Sequence, residues 1–188
     1  MRIIRAGEAD WQLVRAVRLR SLQADPSAFG STLQRELAFT SEVWHDRLRT
    51  ATWFLALPDR PAGVAESAGL AESAGVAESA GLADPADPAD PAGVALIRPL
   101  TDENADFEIN AMWVAPELRG QRTGAALLDA ALATAAEAGG GTVRLWVTLG
   151  NSAAAALYTR RGFQPTGRTE PLLSDGQLTC AEYLLAVG

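Results

Sequence analysis

An internal acidic repeat from Ala62 to Pro91 limits the folds that this chain can adopt. Its hexads read Ala-Gly-Val-Ala-Glu-Ser or Ala-Gly-Leu-Ala-Glu-Ser, and Asp-Pro pairs end it. Four such hexads are too few for a left-handed parallel β-helix, which takes about three hexads per coil and about three stacked units. The repeated glycines each cost a helix about 1 kcal/mol, and each proline favours extended backbone before it. We predict that residues 61–91 are a low-complexity, largely disordered insert.

The net charge of −7 is concentrated in this insert, which holds six acidic residues and no basic residue. The rest of the chain is therefore close to neutral, which disfavours general affinity for nucleic-acid phosphates. The single cysteine, Cys180, excludes an internal disulfide bond and a metal site built from cysteines. We expect no nucleic-acid partner and no bound metal.

Apolar residues are spread along the sequence and form no long run. No stretch approaches the roughly 20 apolar residues of a membrane helix, and the residues after Met1 soon become polar, unlike a signal peptide. We therefore expect a cytoplasmic protein without a membrane partner, either a monomer or a homodimer.

Outside the insert, hydrophobic periodicity predicts one α+β domain, residues 1–188, with a mixed central sheet of about seven strands and about four helices. For example, Val143, Leu145 and Val147 alternate as in a strand. The insert separates the second and third strands, which would otherwise form a hairpin. The predicted strands are Met1–Arg5, Ala51–Leu57, Gly93–Pro99, Asp106–Val114, Thr142–Thr148, Phe163–Arg168 and Leu178–Val187. The predicted helices are Glu8–Ala24, Thr40–Thr50, Gly120–Ala138 and Asn151–Arg161.

The passage from the fourth strand to the third helix contains glycines and arginines. Pro116 ends the strand, and Arg119–Gly124 opens a helix whose apolar face begins at Leu127. The first N–H groups of a helix have no internal partner, and the helix dipole adds about half a positive charge there. Glycines let an anion approach this backbone, so the segment predicts a phosphate-binding cradle. An ordinary helix start with solvated arginines is the alternative.

The last predicted helix begins at Asn151, a favourable N-cap residue, and ends at Gly162, which suits a C-cap. Asn151 and Tyr158 are two helical turns apart and share one face, and the alanines between them let another group lie close. A tyrosine hydroxyl is a weak acid that can give a proton to a departing thiolate. The alternative is a tyrosine packed in the core.

These two segments together resemble the GNAT superfamily of acetyl-CoA-dependent N-acetyltransferases. The order of the predicted elements also matches this family along the whole chain except the insert. In the family pattern V-x-P-x-x-R-G-x-G-x-G-x-x-L-L, the matching residues are Val114, Pro116, Arg119, Gly120, Gly124, Leu127 and Leu128. In the later pattern N-x-x-A-x-x-x-Y-x-x-x-G-F, they are Asn151, Ala154, Tyr158, Gly162 and Phe163.

One residue departs from the family pattern, because Arg122 stands where the middle glycine is common. An arginine with a positive φ angle would be strained there, whereas an arginine in a helix would cost nothing. We expect Arg122 to be helical and to contact a phosphate.

The resemblance implies that the fourth and fifth strands diverge and that the pantetheine arm of acetyl-CoA lies between them. Main-chain groups of Met112 and Val114 would bind the arm, and the N–H of Val114 or a near neighbour would polarise the thioester carbonyl. The implied acetyl-CoA-binding residues are Met112, Trp113, Val114, Arg119, Gly120, Gln121, Arg122, Thr123, Gly124, Ala125 and Asn151.

Glu108 stands six residues before Val114, where several family members carry a general base, and residues six apart in a strand share a face. The resemblance implies that Glu108 takes the amine proton, directly or through water, and that Tyr158 protonates the coenzyme A thiolate. An exposed strand carboxylate is the alternative for Glu108. We also expect Asn110 to line the substrate pocket.

The implied activity is N-acetyl transfer from acetyl-CoA, as co-substrate, to a primary amine by direct transfer in a ternary complex. We expect the acceptor to be a small molecule. Two alternatives remain: a catalytically inactive coenzyme A-binding module, and an acetyltransferase that acts on a protein N-terminus or lysine.

Overall fold

The computed structural model describes residues 1–59, 91–102 and 104–188, so the predicted insert lies outside the described residues except for Pro91. None of the helices in these ranges combines the length and the apolar character that a membrane crossing requires. The strands are β1 (Arg2–Ala6), β2 (Thr52–Leu57), β3 (Gly93–Asp102), β4 (Ala105–Val114), β5 (Gly141–Thr148), β6 (Gln164–Leu172) and β7 (Asp175–Val187). The helices are α1 (Trp11–Ala24), α2 (Leu33–Leu37), α3 (Ser41–Thr50), α4 (Thr123–Glu137) and α5 (Ser152–Arg160).

Within the described ranges, the strands form one seven-stranded sheet in the order β1-β2-β3-β4-β5-β7-β6. All neighbours are antiparallel except β4 and β5, which are parallel. This confirms the predicted mixed α+β sheet, and the antiparallel pairing of β2 with β3 confirms that they are sheet neighbours. The short helix α2 was not predicted, because its five residues are too few to show helical periodicity.

Each face of the sheet has its own hydrophobic core. On the α4 face, Leu127 and Phe163 are fully buried, and on the α1 face Trp44 and Trp53 are fully buried. Burial of one large apolar side chain stabilises the fold by about 1.5–3 kcal/mol. Other members of the α4-face core are Ile97, Ile109, Leu128, Val143 and Leu145. Other members of the α1-face core are Val14, Val17, Leu22, Leu96 and Trp113.

The strands β4 and β5 pair only near their beginnings, where Phe107 is opposite Val143 and Glu108 is opposite Arg144. Beyond these pairs the two strands have no common register, while β5 stays paired with β7 as far as Thr148. The main chain of β4 after Glu108 therefore has a free edge toward β5. The predicted divergence of the fourth and fifth strands is confirmed.

A β-bulge changes the side-chain alternation within β4. Ala111 has a φ of 53°, and the pairing with β3 shifts by one residue between Asn110 and Trp113. One extra residue reverses the sides taken by the residues beyond it. Val114 accordingly packs against the α4-face core, as Ile109 does, although their separation in a regular strand would place them on opposite faces. The expectation that Glu108 and Val114 share a face is therefore wrong.

Candidate active site

A cavity of about 780 Å³ lies where β4 and β5 diverge. Glu108 and Asn110 of β4, Thr148 of β5 and Tyr158 of α5 line it, together with Phe29 from the segment before α2. Asn110 thus lies in the predicted pocket. The cavity brings both predicted catalytic side chains to one space, although they come from different elements.

The ring of Tyr158 packs edge-on against Phe163, with the ring centroids 5.9 Å apart. Only 6% of the Tyr158 surface is exposed. This burial raises the pKa of the Tyr158 hydroxyl above its ordinary value of 10.0. Tyr158 is therefore both a packed core residue and a cavity residue, and its hydroxyl keeps its proton at neutral and mildly alkaline pH.

Glu108 lies between two arginines because of the strand register. Arg98 of β3 and Arg144 of β5 are its direct neighbours on either side. Both guanidinium groups donate to the Glu108 carboxylate, and the distance from Arg144 Nε to Glu108 Oε1 is 3.3 Å. Glu108 is only 5% exposed. The alternative of an exposed strand carboxylate is therefore wrong, and the charge of this buried group is balanced within the sheet.

The ion pairs around Glu108 extend to the neighbouring strands. Arg144 Nη1 is 2.7 Å from Asp102 Oδ2, and the pKa of Asp102 is lowered by the backbone N–H of Asn104 and by Arg144. Arg98 Nε donates to Asn110 Oδ1 at 3.2 Å. These arginines were not identified from the sequence. Each arginine is a charged residue inside an apolar strand, which indicates a partner for the charge. The sequence does not identify that partner, because it depends on the register of the neighbouring strands.

The beginning of α4 offers several hydrogen-bond donors. Within the described part of the chain, the amides of residues 120–125 donate no well-formed hydrogen bond to a protein acceptor. The hydroxyl of Thr123 is also buried without a partner. A Cβ atom at Gly124 would lie 3.3 Å from Leu157 and 3.6 Å from Val114, which places this end of α4 directly against β4 and α5. The donors are therefore next to the gap between β4 and β5.

Arg122 does not have the expected conformation. It is the N-cap of α4 and has a φ of 64° and a ψ of 4°, which is the left-handed region. The expectation of a helical Arg122 is therefore wrong, because α4 begins one residue later, at Thr123. The left-handed backbone costs a residue with a Cβ atom about 1–2 kcal/mol. The cradle keeps its free amides in spite of this strain.

Arg119 is held by protein groups in this structure. Its Nε donates to the carbonyl of Val114 at 2.9 Å, and its Nη2 donates to Asp25 Oδ2 at 2.5 Å. Its amide donates to the carbonyl of Pro116 at 3.3 Å. The indole of Trp113 donates to the same Asp25 oxygen at 2.7 Å. These contacts give Arg119 a structural role, and they do not support the expected phosphate contact.

Asn151 caps its own helix. Its side-chain oxygen accepts a hydrogen bond from the amide of Ala154 at 3.2 Å, as the N-cap preference predicts. Asn151 also lines the cavity. Its side-chain nitrogen is the group that can contact a bound molecule, since the oxygen is engaged by the helix.

Comparisons with known proteins give a consistent result. The sequence matches the family model of the acetyltransferase (GNAT) family over residues 24–163. The chain therefore belongs to the GNAT family of acetyltransferases and is an acyltransferase. No curated protein matches it.

Solved structures share its fold at low sequence identity. A GNAT-family acetyltransferase from Streptococcus pneumoniae superposes with a TM-score of 0.69 at 17% identity, covering 100% of this chain and 99% of the other. The yncA acetyltransferase from Salmonella typhimurium, solved with acetyl-CoA, has a TM-score of 0.66 at 15% identity, covering 100% and 94%. A ribosomal-protein-alanine N-acetyltransferase from Brucella melitensis has a TM-score of 0.65 at 18% identity, covering 99% of each chain.

The residues present suit acetyl-CoA, the acetyl donor of this family. A diphosphate needs several hydrogen-bond donors, and the amides of residues 120–125 and the hydroxyl of Thr123 are free to donate. An extended arm needs a free strand edge, which β4 offers beyond Glu108.

Proposed function

We propose that this enzyme transfers the acetyl group of acetyl-CoA directly to a primary amine of a small molecule in a ternary complex. The divergence of β4 and β5 carries this proposal, because it opens a cavity that contains Glu108 and Tyr158 and frees the strand edge against which the start of α4 packs. Cys180 also lines the cavity, but burial raises the pKa of its thiol, which disfavours the thiolate that a covalent acetyl intermediate needs.

The main chain would position the donor. The amides of residues 120–125 would hold the diphosphate, and main-chain groups of Met112 and Val114 would bind the pantetheine arm along the free edge of β4. The N–H of Val114 or a near neighbour would donate to the thioester carbonyl as its oxygen gains charge. When bound, acetyl-CoA supplies the activated acyl group.

Two side chains would move protons. The acceptor amine must lose a proton before it attacks, and Glu108 would take this proton, directly or through a water molecule. Arg98 holds one oxygen of Glu108, and its side chain is 47% exposed, so it has room to turn aside. The hydroxyl of Tyr158 would donate its proton to the departing sulfur, which the raised pKa of Tyr158 makes available over a wide pH range.

The Tyr158→Phe substitution tests the general acid. We expect kcat to fall about 100-fold or more, because general acid catalysis contributes about 10²–10⁴-fold. Phenylalanine keeps the packing against Phe163, so thermal stability and coenzyme A affinity should stay unchanged. Tyr183→Phe is the matched control, because Tyr183 packs against the α4-face core and is not part of this cavity. Equal activities of the two variants would show that Tyr158 is only structural.

The Glu108→Gln substitution tests the base and separates an enzyme from a binding module. We expect thiol release from acetyl-CoA with a panel of amines to fall about 100-fold or more, with unchanged coenzyme A affinity by calorimetry. A wild-type protein that binds coenzyme A but acetylates no amine, peptide or aminoglycoside would be a binding module. Preference for peptides over small amines would instead identify a protein acetyltransferase.

A further inference from the structure

The cavity is positively charged, although the whole chain has a net charge of −7. Among the described residues that line it, arginines outnumber carboxylates by six to four. A cleft lined mainly by one sign of charge concentrates ligands of the opposite sign. The arginines are Arg18, Arg35, Arg47, Arg98, Arg144 and Arg168. The carboxylates are Glu36, Asp102, Glu108 and Glu170.

Three of the four carboxylates are already neutralised by arginines of the protein. Arg98 and Arg144 pair with Glu108, and Arg144 also pairs with Asp102. The third, Glu36, pairs with Arg18 and Arg47. A polycationic acceptor needs carboxylates that are not already paired with arginines. Among the described carboxylates of the cavity wall, Glu170 alone meets this condition. The cavity is poorly suited to such a molecule.

The helices α1, α2 and α3 contribute a cluster with one surplus positive charge. Arg18 and Arg47 both pair with Glu36, at 2.9 and 2.8 Å. Burial alone would raise the pKa of Glu36, but the hydrogen bonds and charges of the two arginines hold it below its usual value. Arg18 is only 4% exposed, and its Nη1 has no hydrogen-bond partner among the described residues. The surplus charge makes this side of the cavity favourable for an anion.

Two further arginines of the cavity have exposed guanidinium groups. Arg35 on α2 is exposed and takes part in none of the ion pairs between described residues. The side chain of Arg168 on β6 is 53% exposed, lies over the ring of Trp146, and has only a 3.4 Å contact with Glu182. Arg35 can bind an acceptor molecule without losing an ion pair to another described residue. Arg168 pairs with the buried Glu182 through Nη1 alone, so its other guanidinium N–H groups can donate to an acceptor.

The proposed diphosphate site does not account for this charge. The free amides that suit a diphosphate belong to residues 120–125, and none of these described residues lines the cavity. The cavity also contains Met112 and Asn151, which are expected to contact the coenzyme, but none of the six arginines belongs to the diphosphate segment, so these arginines are available to the acceptor.

We propose, building on the proposed acetyl transfer, that the acceptor is an amine that also carries a carboxylate, and that Arg35 and Arg168 bind this carboxylate. The amine end then faces Glu108 and Tyr158. Amino acids have this chemistry, whereas polyamines and aminoglycosides lack it.

Matched acceptors test this proposal on the wild-type enzyme. Acetyl transfer is measured with L-amino acids, ω-amino acids, their carboxamides and spermidine. We expect kcat/KM to be about tenfold or more higher for each acid than for its amide, since one hydrogen-bonded charge contributes about 1.5–3 kcal/mol. The amino group of an amino acid carboxamide is a weaker base than that of the acid, so more of it is unprotonated and able to attack. Amine reactivity alone would therefore favour the carboxamide, and a preference for the acid reports recognition of the carboxylate. Equal or better transfer to amides or spermidine overturns the inference and leaves acetyl transfer established.

Substitutions locate the carboxylate site. Arg35→Gln and Arg168→Gln should each raise KM for the acids about tenfold, with kcat and KM for the amides unchanged. Arg2→Gln, on the exposed surface of β1, is the control and should change nothing. An equal loss for acids and amides would indicate a structural role and would overturn the assignment.

A binding measurement separates this inference from the proposed reaction. N-Acetyl-amino acids and their amides are titrated calorimetrically into the protein with coenzyme A. If no amine is acetylated but the acids bind about tenfold more tightly, and Arg35→Gln or Arg168→Gln removes this difference, the reaction is refuted and the carboxylate site is supported. If acids and amides bind equally or not at all, the carboxylate site is refuted.

Discussion

The N-termini of α4 and α5 lie beside the same gap in the sheet and differ in how their backbone donors are used. At α5, the side chain of Asn151 accepts from the amide of Ala154, so the helix is capped by its own chain. At α4, Arg122 supplies no side-chain cap, and in the described structure the amides of residues 120–125 keep no protein acceptor. A helix end without a side-chain cap keeps free N–H groups that can bind an anion. A side-chain cap engages one of these N–H groups and stabilises the helix.

The two ends also differ in backbone strain. Arg122 has the left-handed conformation at φ 64°, whereas Asn151 has an ordinary negative φ of −78°. Strained backbone is common at ligand-binding positions, where the surrounding structure maintains it. This difference fits the proposal that the start of α4 binds the diphosphate, whereas the capped start of α5 stabilises the helix that carries Tyr158.

The largest expected difference concerns charge. Arg122→Glu should weaken acetyl-CoA binding about 10- to 100-fold, because it replaces a positive charge with a negative one beside the proposed diphosphate site. Ser152→Glu places the same charge at the first residue of α5 and should leave the affinity within about twofold, since no phosphate is expected there. Calorimetric titration with acetyl-CoA measures both. Equal losses would mean that the two helix ends do not differ in anion binding.

A smaller effect is expected from the cap of α5. Asn151→Ala should lower the free energy of unfolding by about 1 kcal/mol, whereas Asn151→Asp keeps an accepting oxygen and should cost much less. Arg122→Ala should not lower the free energy of unfolding through the loss of a cap, because the side chain of Arg122 makes no cap. Denaturant unfolding measures these stabilities. If Asn151→Asp keeps the stability but raises KM for acetyl-CoA, the side-chain nitrogen of Asn151 contacts the coenzyme.

The smallest expected effect concerns the strain at Arg122. Arg122→Gly should raise the free energy of unfolding by about 0.5–1 kcal/mol, because glycine adopts positive φ without a steric penalty. Asn151→Gly should change it in the opposite direction by a few tenths of a kcal/mol. Thermal and denaturant unfolding compare the two variants. A destabilised Arg122→Gly variant would show that the arginine side chain contributes more than its backbone costs.

Much of the site was predictable because the features are local. The cap at Asn151, the helix that carries Tyr158 and the free donors before Leu127 all follow from residues within a few positions of each other in the chain. The short helix α2 was missed because five residues carry too little pattern. Arg122 was predicted incorrectly, since the exact start of a helix depends on where the preceding loop must turn.

Local patterns along the chain established the class of fold and the two motifs, and the family resemblance carried by these motifs supplied the candidate proton-transfer residues. The packing of strands that are far apart in the sequence established which residues these groups contact and which face of the sheet they occupy. The pairing of β3, β4 and β5 places Arg98, Glu108 and Arg144 side by side, and the bulge at Ala111 reverses the faces beyond it. Strand register couples residues far apart in sequence, and a shift of one position changes every neighbour across the sheet. The charge of the cavity therefore follows from the assembled sheet and helices and cannot be obtained from any one segment.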